Sequence, residues 1–332
     1  MYRNAAVLGA GSWGMAIARV LDANDIKVNL WEYNKTDYEI IKTQRCHPKK
    51  LSDIQLADSI SLYNNLDDAY KGVDLIVLAI PSQYLRAVLK LMDVKNTPVV
   101  NLAKGIENST HNRMSEVIHQ ELRLPQELIS TLSGPSHAEE VAADIPTAIV
   151  AGGVSEEVLE KIQRSFSNNN LRVYKSTDLI GVELGGSLKN IIAIAAGICH
   201  GLKMGDNTMG ALITRGLAEM SRLGISMGAQ ADTFAGLSGI GDLITTCMSR
   251  HSRNRFVGEH IGMGEKLDDI LAGMSMIAEG VKTTQSGYEL AKKHDVEMPI
   301  TTEVYEVLFN NKPPEIALGE LMRRELKSEV WQ

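Results

Sequence analysis

Cysteine is scarce in this 332-residue chain. The three present, Cys46, Cys199 and Cys247, are scattered and odd in number. They form neither a disulfide framework nor a CxxC metal pattern, so a reducing cytoplasm fits best. Net positive charge is also lacking. A formal charge of −7 argues against broad binding to nucleic acid or to an anionic membrane surface. An anionic ligand would therefore need a local cluster of Lys and Arg. No apolar run is long enough to span a bilayer, the longest being Ile191 to Ile198. A signal-peptide layout, internal repeats, low-complexity tracts and sustained heptads are all missing. What remains is 44% apolar and 23% charged, the composition of a packed core with room for two domains.

The most informative feature is Gly9-Ala10-Gly11-Ser12-Trp13-Gly14. Asn4 to Leu8 before it reads as a strand, and Met15 to Leu21 after it as a helix. A second strand, Ile26 to Trp31, ends at Glu32. Strand, glycine turn, helix, strand, acid is the order of a dinucleotide-binding unit. Gly9 permits the tight turn, Gly11 lets backbone approach a pyrophosphate, and Gly14 lets the helix pack closely on the strand. The helix N-terminus offers free N–H groups to phosphate.

Alternation continues through the first half. Val73 to Ile80 reads as a strand buried on both faces, followed by a helix from Pro81-Ser82 through Leu91. A strand over Thr97 to Leu102, a helix from about His111 to Glu121 and a strand over Leu128 to Leu132 come next. Strands over Thr147 to Val150 and Leu171 to Tyr174 flank a helix from Ser155 to about Phe166. Strand signal then stops near Lys175-Ser176-Thr177-Asp178. Helical stretches run roughly over 180–200, 208–224, 252–262, 280–293 and 300–310. The expected fold is α/β, a Rossmann-type, doubly wound, mostly parallel sheet over 1–178 followed by an all-helical domain over 179–332.

Ligands of such sheets bind beyond the carboxyl ends of the strands. The glycine turn, Ala79-Ile80-Pro81-Ser82 and Ala103-Lys104-Gly105 all fall there. Lys104 can meet an anionic or carbonyl oxygen. In Gly134-Pro135-Ser136-His137, Gly134 permits close approach and Ser136 can donate a hydrogen bond. His137 is not assigned a catalytic role, because no partner for it is visible in the sequence. Lys189, in a run of small and apolar residues from Glu183 to Gly197, reads as a lysine on a buried helix. Burial lowers a lysine's pKa, which suits it to donate a proton to the alkoxide that hydride transfer creates. Its neighbour Asn190 can bond a substrate hydroxyl. Asp242, in a glycine-rich loop, can pair with Lys189 or cap a helix. Arg250, Arg253 and Arg255, with Ser252 and Asn254 between them, suit a phosphoryl group. Cys247 invites a nucleophile reading, but no base is assigned to it and a structural role is expected.

Together the motifs resemble the bacterial type of NAD(P)-dependent glycerol-3-phosphate dehydrogenase. The matching residues are Gly9 to Gly14, Asn101 to Ile106, Ser133 to Ala138, Glu183 with Leu188-Lys189-Asn190, Gly241 to Cys247, and Ser252-Arg253-Asn254. The resemblance implies reversible reduction of dihydroxyacetone phosphate to sn-glycerol 3-phosphate, feeding phospholipid synthesis, in a cytoplasmic homodimer that needs no metal. It implies Lys189 as proton donor and acceptor, assisted by Lys104 and Asp242. Substrate positions would be Lys104, Gly134, Ser136, Lys189, Asn190, Asp242, Thr246, Ser252, Arg253 and Asn254. Cofactor positions would be Gly9, Gly11, Ser12, Trp13, Gly14, Glu32, Tyr33, Lys104, Ala138, Arg253, Glu279 and the backbone of Ile277. A carboxylate at Glu32 favours the ribose 2′-OH of NAD over a 2′-phosphate, whereas Lys35 offsets it, so preference between NAD and NADP stays open. Two other readings remain: another two-domain NAD(P) dehydrogenase acting on hydroxy or sugar acids, and a non-catalytic NAD(H) sensor.

Overall fold

The computed structural model describes residues 1–274 and 276–329. Ser275 and the last three residues of the expected second domain lie outside the described residues. The first half runs β1 (Asn4–Leu8), α1 (Ser12–Ala23), β2 (Lys27–Trp31), α2 (Lys35–Gln44), β3 (Ser61–Tyr63), α3 (Leu66–Tyr70), β4 (Leu75–Leu78), α4 (Ser82–Leu89) and β5 (Val99–Asn101). It continues α5 (Met114–Leu122), β6 (Ile129–Ser133), α6 (Ala138–Ala142), β7 (Thr147–Gly153), α7 (Glu156–Phe166) and β8 (Leu171–Ser176). The eight strands form one sheet in the order β3-β2-β1-β4-β5-β6-β7-β8. All neighbours are parallel except β6 and β7. Strand order reverses beside β1, where Leu8 pairs with Trp31 on one side and with Leu78 on the other. A crevice opens there, at the carboxyl ends of β1 and β4.

The apolar runs cover both faces of the sheet, as buried parallel strands require. Ile17 and Leu21 of α1 join Leu159, Ile162 and Phe166 of α7 in one core. Leu85 and Leu89 of α4 join Val117 and Ile118 of α5 in another. The stretch from α2 to α3 was not expected as regular structure. Its segments are short and polar, and α2 buries only Ile41. Local capping starts α2, with Asn34 Oδ1 accepting from the amides of Thr36 and Asp37. β3 is ordered by pairing with β2 at the edge of the sheet.

The second half is helical: α8 (Leu179–Gly201), α9 (Asp206–Ser226), α10 (Ala231–Phe234), α11 (Asp242–Met248), α12 (Arg253–Gly262), α13 (Leu267–Gly273), α14 (Glu279–Lys293), α15 (Pro299–Phe309) and α16 (Pro314–Met322). The glycine-rich stretch before Asp242, expected as a loop, is a π-helical turn over Leu237–Gly241 that leads straight into α11. By length and composition α8 as a whole is apolar enough to cross a membrane, although its longest unbroken apolar run is not. In this fold 94% of its most apolar 18-residue window is buried in the protein, so it serves as the core helix. Glycines let α12 cross it backbone to backbone. A Cβ on Gly197 would lie 2.1 Å from the Arg255 carbonyl, and one on Gly258 would lie 2.0 Å from that of Ile194.

Candidate active site

The glycine turn has the geometry that a dinucleotide needs. Gly9 sits at φ +116°, and a Cβ there would meet the Ala79 carbonyl at 2.6 Å. A Cβ on Gly14 would lie 1.9 Å from the Gly9 carbonyl, so this glycine locks α1 onto the turn. A Cβ on Gly11 would meet nothing within 4 Å. It would instead fill the open cradle before the first turn of α1, whose N–H groups have no helical acceptors. The residues present therefore fit a bound pyrophosphate. The helical half leans over this turn. Ser12 Oγ donates to Met276 Sδ at 3.7 Å, and the Ser82 amide at the start of α4 donates to Glu279 Oε1 at 2.8 Å. Ile277 lies on the same connecting segment with its side chain half exposed.

Glu32 directly follows β2 at the far rim of the cradle, its carboxylate within reach of the Ala10 amide. Its carboxylate is turned into the protein, where Oε1 accepts the Asn34 amide at 2.8 Å. Burial pushes its carboxyl above the usual range, opposed by that hydrogen bond and by Lys50. Lys50, from the segment after α2, is a cation that acts on it. Tyr33 beside it is 74% exposed, its ring tilted against Trp31.

The chemical centre forms where the two halves meet. Asn101 at the end of β5 holds the next turn by bonding both the amide and the carbonyl of Ala103. That turn aims Lys104 toward β6 and the helical half. Lys104 Nζ donates to the Gly134 carbonyl at 2.8 Å, to Ser136 Oγ at 3.2 Å and to Asp242 Oδ2 at 2.8 Å. Lys189 Nζ approaches the other oxygen, Asp242 Oδ1, and Thr246 Oγ1 at 2.6 Å. One carboxylate from α11 thus joins a lysine of the sheet half to a lysine of the core helix. Ala138 follows this cluster at the start of α6.

Burial sets the charges. Lys189 is 5% exposed and Asp242 1%. Desolvation brings the Lys189 ammonium down to about 8, with the Asp242 carboxylate opposing the fall and the Lys104 charge adding to it. For Asp242 burial pushes upward, but the two lysines win and hold it below the usual carboxylate range. Cys247, on the same helix, is buried and its thiol is pushed up to about 12. That makes it a poor nucleophile, in keeping with the structural role expected of it.

Several residues act differently from the simplest expectation. Asn190 and Asn254 bond each other at 2.9 Å, Asn190 also donates to the Lys104 carbonyl, and Asn254 accepts the Gly280 amide. Both amides therefore tie α8, α12 and α14 to the Lys104 turn. Ser252 is buried and caps α12, its Oγ accepting from the Arg255 amide. The three arginines do not act as one cluster. Arg255 pairs with Glu259 at 3.4 Å, whereas Arg253 is exposed and has no partner among the described residues. Glu183 proves to be a tie between the halves. Its carboxylate accepts from the Ser115 amide and hydroxyl and from Arg113, all at 2.6–2.8 Å, and so fixes the start of α8 against α5. Residue order gives no sign of this role for Glu183, since its partners lie about 70 residues away.

The comparisons with known proteins agree on the family. Residues 4–159 match the family model described as the N-terminus of NAD-dependent glycerol-3-phosphate dehydrogenase, and residues 178–319 match its C-terminus. The glycerol-3-phosphate dehydrogenase [NAD(P)+] 2 of Salinibacter ruber is 50% identical, over 98% of this chain and 96% of its own length. The glycerol-3-phosphate dehydrogenase [NAD(P)+] of Chlorobium limicola is 48% identical over 98% and 99%. Among solved structures, glycerol-3-phosphate dehydrogenase from Coxiella burnetii superposes with a TM-score of 0.93 at 36% identity, covering 97% of this chain and 99% of that one. A D-mandelate dehydrogenase with NADH reaches 0.62 at 14% identity, over 95% of this chain and 99% of its own, and shares the fold alone. With both halves matched and every strand of the cradle in place, the chain belongs to the NAD-dependent glycerol-3-phosphate dehydrogenase family.

Proposed function

We propose that this chain catalyses the reversible, NAD(P)-dependent interconversion of dihydroxyacetone phosphate and sn-glycerol 3-phosphate. The observation that carries the reading is the Asp242 carboxylate shared by Lys104 and the buried Lys189. Gly9, Gly11, Ser12, Trp13 and Gly14 would hold a nicotinamide dinucleotide, which would supply or accept the hydride. Lys189 gives a proton to the C2 oxygen of the substrate as negative charge builds there, and takes it back in the oxidation. A group near pH 8 exchanges protons in both directions at modest cost. Lys104 keeps a second positive charge beside that oxygen, in a site from which burial excludes water. Asp242 and Thr246 hold the Lys189 amine in line. Arg253, the unpartnered guanidinium beside Asn254, takes the phosphoryl end with the capped turn at Ser252. An NAD(H) sensor would have no need for two lysines on one buried acid.

The division between halves is drawn at 178/179, in the short link from β8 to α8. On the resemblance, the enzyme works as a cytoplasmic homodimer and feeds phospholipid synthesis. The test is a spectrophotometric one. Protein, dihydroxyacetone phosphate and either NADH or NADPH are mixed and the nicotinamide absorbance is followed. Loss of signal is expected with at least one cofactor. A flat trace with both, while the cofactors still bind, would leave the sensor reading in its place, and loss of signal with a 2-oxo acid instead would favour a hydroxy-acid dehydrogenase.

A further inference from the structure

We propose that His137 is a further substrate-binding residue, whose unpartnered imidazole nitrogen donates a hydrogen bond to the phosphoryl group beside Arg253. The inference rests on the reading above, in which the turn at Ser252 to Asn254 holds a phosphorylated substrate.

His137 directly follows Ser136, whose hydroxyl is one of the groups Lys104 grips, and it opens α6 without capping it through its side chain. Its ring meets that of His251, the residue just before Ser252, at 5.8 Å between centroids and a tilt of 51°. An imidazole of the sheet half thus reaches across to the arginine turn of the helical half.

His137 Nε2 is buried and has no partner among the described residues. Buried polar atoms are paired in the great majority of cases, and an exception calls for a missing partner. The cations whose charge acts on the ring are Lys104 and Lys189, which are donors only and already bond Asp242. They cannot accept an imidazole N–H. An anionic oxygen can, and a phosphoryl group carries three. The same surroundings set the resting state of the ring. Burial, Lys189 and Lys104 push the imidazole below the usual histidine range, and Glu139 and Glu140 only partly oppose them. The ring therefore waits neutral, with a single N–H, in a field that favours an anion.

Two substitutions separate hydrogen bonding from packing. His137→Phe keeps an aromatic ring against His251 and removes both nitrogens. His137→Asn shortens the side chain but keeps a donor. With cofactor saturating, the Phe variant is expected to raise KM for dihydroxyacetone phosphate at least about tenfold, as for loss of a hydrogen bond to a charged group. Its kcat and its KM for the nicotinamide cofactor should hold, and the Asn variant should recover most of the loss. Added glycerol 3-phosphate should also raise the melting temperature of the cofactor-loaded wild type more than that of the Phe variant. His137→Leu serves in its place should the Phe variant not fold. An apolar variant with wild-type KM overturns the proposal, and so do Phe and Asn variants that are equally impaired, which would mean ring packing alone. Arg253→Ala keeps the two readings apart. A raised KM in that variant with an unchanged one in His137→Phe removes only His137. Unchanged values in both remove the phosphoryl assignment as well.

Discussion

The two halves of the molecule contribute to the site by opposite means. The sheet half offers backbone and space: a glycine at φ +116°, an open cradle at Gly11, and short turns that end at Lys104 and Ser136. The helical half offers charged side chains held dry, Lys189 on the core helix and its partner Asp242 on α11. Binding by shape needs little burial of charge, whereas proton transfer near neutral pH needs a lysine taken out of water. On the proposed function, the sheet half holds the cofactor by shape, and the helical half supplies the tuned amine and the phosphoryl anchor.

The sharpest way to break this comparison is Lys189→Ala. It should lower kcat by about 10²-fold or more in steady-state assays, the range of general acid–base catalysis, and leave cofactor binding intact. Near-normal turnover would move the chemistry elsewhere. Arg253→Ala should act on KM for dihydroxyacetone phosphate instead, raising it at least about tenfold, or about 1.4 kcal/mol. An equal fall in kcat with KM unchanged would contradict its assignment as a phosphoryl anchor.

The glycines of the cradle sharpen the other side of the contrast. Gly14→Ala forces a Cβ onto the Gly9 carbonyl and should cost about 1–3 kcal/mol in denaturant unfolding, as overpacking does. Gly11→Ala should leave stability within about 0.5 kcal/mol while weakening cofactor binding in a fluorescence titration. If both variants lose stability alike, Gly11 is a packing glycine and the cradle reading fails.

The pH dependence gives a milder signature. With the Lys189 ammonium near 8, the reduction needs the protonated form and should slow as pH rises through about 8. The oxidation needs the free amine and should quicken over the same interval. Profiles of kcat/KM measured in both directions should therefore bend in opposite senses. Parallel profiles would remove Lys189 as the titrating group. The smallest effect is expected from Cys247→Ala, which should leave turnover unchanged, because the thiol is buried and held protonated.

Much of this was legible in residue order. The path from β1 through the glycine turn to β2 is local, and so were most later strands and the long helices, since their periodicity is written within a dozen residues. The segment from α2 to α3 was not legible, because short polar elements owe their order to capping and to pairing at the edge of the sheet. The site divides in the same way. Lys104, Lys189 and Arg253 stood out by residue type and context. Two further features did not: that Asp242 would serve both lysines, across 138 and 53 residues, and that Asn190 and Asn254 would bond each other.

By itself, the sequence determined the alternation of a dinucleotide-binding sheet, the switch to helices near residue 178 and a lysine set in a long apolar helix, because each is a local pattern. The tertiary structure alone decided that Glu183 clamps the core helix to α5 and that a single carboxylate lies between two ammonium groups. Those outcomes depend on which distant groups share a low-dielectric space, and chain order does not specify that distance.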